Sequence, residues 1–124
     1  MFKLINNFLC GAQLAALAEA MAMIDRSGLE RETALATLMA GATGSPLAKT
    51  VSAHMAAADY TPNFLVRLMA KDLAYATRVA AGLGVDLSMG RTAHAAFSNA
   101  SAAGYGERDI AAIYPAIASR AKAL

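Results

Sequence analysis

Apolar residues recur at three- and four-residue spacing along almost the whole chain, and short polar, glycine or proline breaks cut the pattern into about six segments. The first runs from Lys3 to about Ile24. It is rich in Ala, Leu and Met, holds one interior glycine and no proline, and so predicts a long helix. That helix should stop near Ser27-Gly28, where glycine offers a left-handed end. A second helix is expected from about Glu30 to Ala40, with Leu35, Leu38 and Met39 on its buried stripe and Glu30 and Glu32 near its positive end. Gly41-x-x-Gly44 breaks it. Ser45-Pro46 then starts a third helix, since serine caps and proline fits the first turn. Leu47, Val51 and Met55 give it an apolar side as far as about Ala58.

Asp59-Tyr60-Thr61-Pro62 repeats the cap-plus-proline pattern and predicts a fourth, long helix from about Pro62 to Leu83, closed by Gly82 and Gly84. After the linker Val85-Asp86-Leu87, Ser88 is placed as the cap of a fifth helix that ends at Gly104. Asp109 is placed as the cap of a last helix, which Pro115 should kink or divide. Alternation is absent and β-branched residues are sparse, so no segment predicts a strand. The expected fold is all-α: a bundle of about six helices, two of them long.

Composition narrows this further. At 124 residues the chain is expected to be one domain with a real core. Hydrophobic residues supply 57% and charged residues 16%; the alanine among them lets helices approach closely. The apolar run from Phe8 to Ile24 is broken by Gln13 and Glu19, ended by Asp25-Arg26, and short for a membrane span, so it is expected to be a core helix. No secretory signal is read at the amino end. A single cysteine, Cys10, excludes an internal disulfide and fits a cytoplasmic protein. The net charge of +2 comes without a basic run, and tryptophan is absent, which gives nucleic-acid binding little support. His54 and His94 each stand alone on helix surfaces, and no cluster has metal-ligand spacing.

Two groups of residues could carry chemistry. Lys3 and Asn7 stand at i and i+4 and leave the first helix on one side. Either they are ordinary polar residues at a surface helix start, or they pair a proton-carrying lysine with an orienting amide. Phe64, Leu68, Lys71, Asp72 and Tyr75 are expected to share one broad face of the fourth helix. That face is either a core stripe edged by solvated charges or one wall of a site. The pairs Gly41-x-x-Gly44 and Gly104-x-Gly106 are too short for a phosphate cradle and follow no strand. The chain is therefore expected to lack a dinucleotide-binding βαβ unit.

Three blocks then occur in order: Lys3-x-x-Asn6-Asn7 followed by Ala18-Glu19-Ala20 and Gly28-Leu29; Phe64-x-x-x-Leu68-x-x-Lys71-Asp72-Leu73; and Gly104-x-Gly106-x-x-Asp109. Together they resemble the C-terminal domain of the β-hydroxyacid dehydrogenases, which include 3-hydroxyisobutyrate dehydrogenase and tartronate semialdehyde reductase, with 6-phosphogluconate dehydrogenase more distant. The resemblance implies that Lys3 is the catalytic residue, that Asn7, Phe64 and Asp72 serve the substrate, and that Lys71 contacts the nicotinamide cofactor. Asn6 should support the backbone or a domain junction. It further implies NAD or NADP held mostly by a Rossmann domain absent from this chain, a small hydroxy-acid substrate, and a homo-oligomer. The implied reaction interconverts a β-hydroxy acid and its semialdehyde, and this chain alone should be inactive. The alternative expectation is a non-catalytic all-α dimerisation module.

Overall fold

Helix α1 (Phe2–Ser27) is the axis of the bundle: in the computed structural model, which describes residues 1–121, it packs against each of the other five helices. It ends where Gly28 takes φ 84°, a left-handed angle that costs glycine little. The others are α2 (Arg31–Ala40), α3 (Pro46–Ala56), α4 (Val66–Gly82), α5 (Ser88–Ala100) and α6 (Ile113–Ala121). No strand occurs among the described residues, so the fold is all-α with two long helices, α1 and α4.

The core forms where the apolar sides of these helices meet. Leu14 and Met21 of α1, Met55 of α3, Leu73 of α4, Phe97 of α5 and Ile113 of α6 are all fully buried. Each such side chain stabilises the fold by roughly 1.5–3 kcal/mol relative to exposure. By length and composition α1 could cross a membrane, yet its Leu14, Ala18 and Met21 are packed inside the bundle.

Local signals set several boundaries. The Glu30 carboxylate accepts from the backbone N–H of Glu32 at 3.0 Å and of Thr33 at 2.7 Å, capping α2. Ser45 Oγ accepts from Ala48 N at 3.0 Å and caps α3, with Pro46 in its first turn. Between α2 and α3 the chain turns so tightly that a Cβ on Gly44 would stand 1.8 Å from the Met39 carbonyl oxygen. Only glycine fits there.

Elsewhere tertiary contacts shift the expected boundaries. Leu38, expected on the buried stripe of α2, is 39% exposed, because α2 turns only its Leu35 side inward. Ser88 is the first residue of α5 and its hydroxyl makes no cap; an Asp86–Arg91 ion pair spans that start instead. Helix α5 stops at Ala100 and opens into a wide π-type turn over Ser101–Tyr105, within which Gly104 has φ 103°.

Asp109 caps a short 3-10 turn, Ile110–Ala112, that leads into α6, so the last helical stretch divides at Ile113. Pro115 lies in the first turn of α6, where backbone N–H groups lack helical partners, two residues past that division.

The largest correction concerns the start of α4. Thr61-Pro62 does not begin a helix; α4 starts at Val66. Asp109 Oδ1 accepts from the backbone N–H of Asn63 and of Phe64, both at 3.1 Å. Ile110 N donates to the Phe64 carbonyl at 2.8 Å, Val66 N donates to the Arg108 carbonyl at 2.9 Å, and Leu65 forms an isolated antiparallel bridge with Asp109. These bonds claim the groups that a helical turn would need. Phe64 therefore precedes α4 and does not share its face.

Candidate active site

Helices α1 and α4 run in opposite directions, and a glycine sets their separation. A Cβ on Gly11 would lie 2.9 Å from both Leu73 δ-carbons and 3.0 Å from Met69 Sδ. With no side chain there, the two backbones approach, and the preceding turn of α1 meets α4 at the residue beside Leu73. Asn7 Nδ2 thereby reaches Asp72 Oδ2 at 2.7 Å. The bond is short and charge-assisted, and both residues are half-buried.

Around this pair lies a hollow of about 210 Å³ lined by Lys3, Leu4, Asn7, Lys71, Asp72 and Tyr75. It is smaller than the 300–1,000 Å³ usual for drug-sized ligands, so it suits a compound of few atoms. Lys3 and Lys71 are exposed on its rim. Two ammonium groups against one carboxylate leave a surplus positive charge, which favours a small anion. The Asn7 bond occupies one oxygen of Asp72 and one amide N–H, fixing the amide beside Lys3.

Four of the five residues singled out from the sequence thus meet: Lys3, Asn7, Lys71 and Asp72. Phe64 does not line the hollow; its ring packs against the core ahead of α4. Asn6 does not line the hollow; its amide donates to Asn7 Oδ1 at 3.5 Å and lies 3.8 Å from Cys10 Sγ. Burial pushes the Cys10 thiol above its ordinary range, which disfavours the thiolate a nucleophile would need. His54 lies 3.7 Å from Asp59, and His94 3.1 Å from Ser98 Oγ; neither lines the hollow. No group of three metal-ligating side chains occurs among the described residues. Leu4 and Tyr75 also line the hollow, and sequence alone gives neither a role. Tyr75 shares a face with Lys71 and Asp72, but only the packing of α1 shows that this face closes a hollow.

A second hollow, of about 250 Å³, adjoins the first at Leu4 and is almost wholly apolar, with Ile5, Phe8, Val79 and Leu83 among its walls.

Known proteins share this fold. Residues 1–117 match the family model described as the NAD-binding domain of NADP-dependent 3-hydroxyisobutyrate dehydrogenase. The L-threonate dehydrogenase of Haemophilus influenzae is 32% identical over 111 residues, which is 90% of this chain and 37% of that protein. The glyoxylate/succinic semialdehyde reductase 1 of Arabidopsis thaliana is 30% identical over 115 residues, covering 93% of this chain and 40% of the relative. Among solved structures, 3-hydroxyisobutyrate dehydrogenase from Salmonella typhimurium superposes with a TM-score of 0.87 at 33% identity, over 92% of this chain and 40% of the other. The chain spans about two fifths of the length of these relatives. It belongs to the 3-hydroxyisobutyrate dehydrogenase family.

Proposed function

We propose that this chain is the C-terminal, substrate-handling domain of an NAD(P)-dependent dehydrogenase that interconverts a β-hydroxy acid and its semialdehyde. The observation that carries the reading is the Asn7–Asp72 hydrogen bond beside Lys3, in a small cationic hollow between α1 and α4. Oxidation removes a proton from the substrate hydroxyl and a hydride from its carbon. Lys3 Nζ takes the proton as the neutral amine in the oxidation, and returns it as the ammonium in the reduction. Asn7, held by Asp72, orients the oxygen that loses it. With Lys3 as the ammonium, the surplus positive charge of the rim favours the carboxylate of the semialdehyde about to be reduced.

The dinucleotide fits this chain at one edge only. Lys71, exposed on the rim, would hold it there, while no glycine-rich strand–turn–helix occurs among the described residues to cradle its phosphates. When bound, the nicotinamide supplies the hydride acceptor. We assign the rest of its site to a Rossmann domain outside this chain, in keeping with the length of the relatives. The chain alone is then inactive, and the parent is a cytoplasmic enzyme. Phe64 supports the start of α4 in this reading.

Self-association has its own support: Leu9, Met23 and Leu29 are exposed by 49%, 73% and 63%. They favour a homo-oligomer, and they are also what a purely structural dimerisation module would show. One experiment separates the two. The full-length protein should turn over short 3-hydroxy acids with NAD or NADP, and Lys3→Ala should reduce kcat by about 10²–10⁴-fold. Full turnover by Lys3→Ala would remove Lys3 as proton carrier, and no turnover by the unaltered enzyme would leave the dimerisation module.

A further inference from the structure

We infer that Tyr75 is a specificity-determining residue, the wall that limits substrates to short hydroxy acids; the inference rests on the dehydrogenase reading above. Tyr75 follows Lys71 and Asp72 by one turn of α4 and lines the same hollow, in which it is the one aromatic residue. Its ring is half exposed, so its bulk projects from the helix and is not spent in the core. The guanidinium of Arg78, one turn further on, lies 5.4 Å from the ring centroid and restrains it.

What lies beyond Tyr75 gives the restraint a purpose. Its neighbour Ala76, with Val79 and Leu83, faces the apolar hollow, and Leu4 belongs to both hollows. The polar hollow, with its lysines and carboxylate, therefore has an apolar space beside it of comparable size, about 250 Å³ against about 210 Å³. An acid with a long aliphatic tail could place its head by Lys3 and Asn7 and its tail in that space. Tyr75 lines the polar hollow and its neighbour Ala76 the apolar one, so in this inference the ring narrows the route between them. A small substrate fits without crossing it.

The test compares the full-length enzyme with Tyr75→Leu, Tyr75→Ala and Tyr75→Phe, using a four-carbon and an eight-carbon 3-hydroxy acid. The readout is the ratio of kcat/KM for the two acids. Tyr75→Leu and Tyr75→Ala should move the ratio towards the longer acid by on the order of tenfold or more, the scale set by one or a few methylenes in an apolar pocket. Tyr75→Phe keeps the ring and should keep the ratio. Leucine keeps more of the apolar bulk of Tyr75 than alanine does, so Tyr75→Leu retains the packing of α4 even where truncation to alanine loosens it. An unchanged ratio in a folded Tyr75→Leu enzyme overturns the inference. So does a rise in KM for the nicotinamide cofactor with the ratio unmoved, which would set Tyr75 against the cofactor. If the unaltered enzyme oxidises neither acid, the dehydrogenase reading itself fails, and the two failures are told apart.

Discussion

Asn7 on α1 and Asp72 on α4 are 65 positions apart in sequence, and their side chains meet at 2.7 Å. The carboxylate accepts from an amide, so the bond is charge-assisted without adding a second charge to the hollow. It also removes rotational freedom from Asn7. An amide otherwise free at a helix start is held beside Lys3 before any ligand arrives, which lowers the entropy cost of orienting one.

That bond should register as a measurable coupling. Asn7→Ala and Asp72→Ala are each expected to lower the unfolding free energy by about 1–2 kcal/mol, the scale for a part-buried bond to a charged group. The double variant should lose about 1 kcal/mol less than the sum of the two. Urea unfolding of the four proteins measures the cycle. Strict additivity would mean that the contact contributes nothing to holding α1 against α4.

The contact depends in turn on Gly11. Valine at this position must displace the buried Leu73 or push the helices apart, and overpacking of that kind costs about 1–3 kcal/mol. Alanine meets the same atoms with one carbon, and its better helix propensity returns about 1 kcal/mol. The expected stability order is therefore wild type close to Gly11→Ala, and Gly11→Val clearly lower. In Gly11→Val the Asn7–Asp72 coupling should also shrink, because separation of the helices stretches that bond first. A Gly11→Val protein with full stability would show that Gly11 does not set the helix spacing.

These relationships explain which parts of the structure local sequence could reveal. The glycine end of α1, and the Ser45-Pro46 start of α3, are written within a turn of the boundary they set. Lys3 and Asn7 share a face by helical spacing alone, and so do Lys71, Asp72 and Tyr75. That the two faces meet follows from an antiparallel packing that one glycine permits, and no local pattern states it. Thr61-Pro62 has the same local signature as Ser45-Pro46, yet it starts no helix, because Asp109 takes the donors of residues 46 and 45 positions earlier. The local signature therefore puts Phe64 on α4, and the distant carboxylate takes it off.

Asp109 is accordingly expected to be among the costliest residues to replace. It is buried, and its carboxylate accepts from the backbone N–H of Asn63, Phe64 and Ala111 at 3.1, 3.1 and 3.0 Å. Asp109→Ala leaves these donors unpaired, each at about 1–3 kcal/mol, so a loss of about 3 kcal/mol or more is expected. Asp109→Asn keeps a carbonyl acceptor and should lose less. Amide hydrogen exchange checks the assignment directly: Asn63, Phe64 and Ala111 should lose protection in Asp109→Ala. Unchanged protection at those amides would show that Asp109 is not what orders the start of α4.

The last expectation concerns pH and the opposite end of α1. Arg31 Nε and Nη2 donate to the two oxygens of Asp25 at 2.9 and 3.1 Å, and the Tyr114 hydroxyl donates to the same carboxylate, tying the end of α1 to α2 and α6. Burial alone would raise the Asp25 pKa, but the hydrogen bonds from Arg31 and Tyr114 outweigh it and hold the group below the ordinary carboxylate range. A folded value below the unfolded one means that the ionised form stabilises the fold. Its contribution is complete above the unfolded value of about 3.9 and is lost as pH falls through the lower folded value. Tyr114 behaves in the opposite sense. Burial, then its bond to Asp25, raises its pKa, so its contribution is present below about pH 10 and is lost as pH rises past its folded value. Asp25→Asn should therefore be less stable than wild type at about pH 7, and the gap should narrow as pH falls below about 3.9. Urea midpoints across that range measure the gap. A gap of constant size would show that the cost of the substitution comes from packing and not from the charge on Asp25.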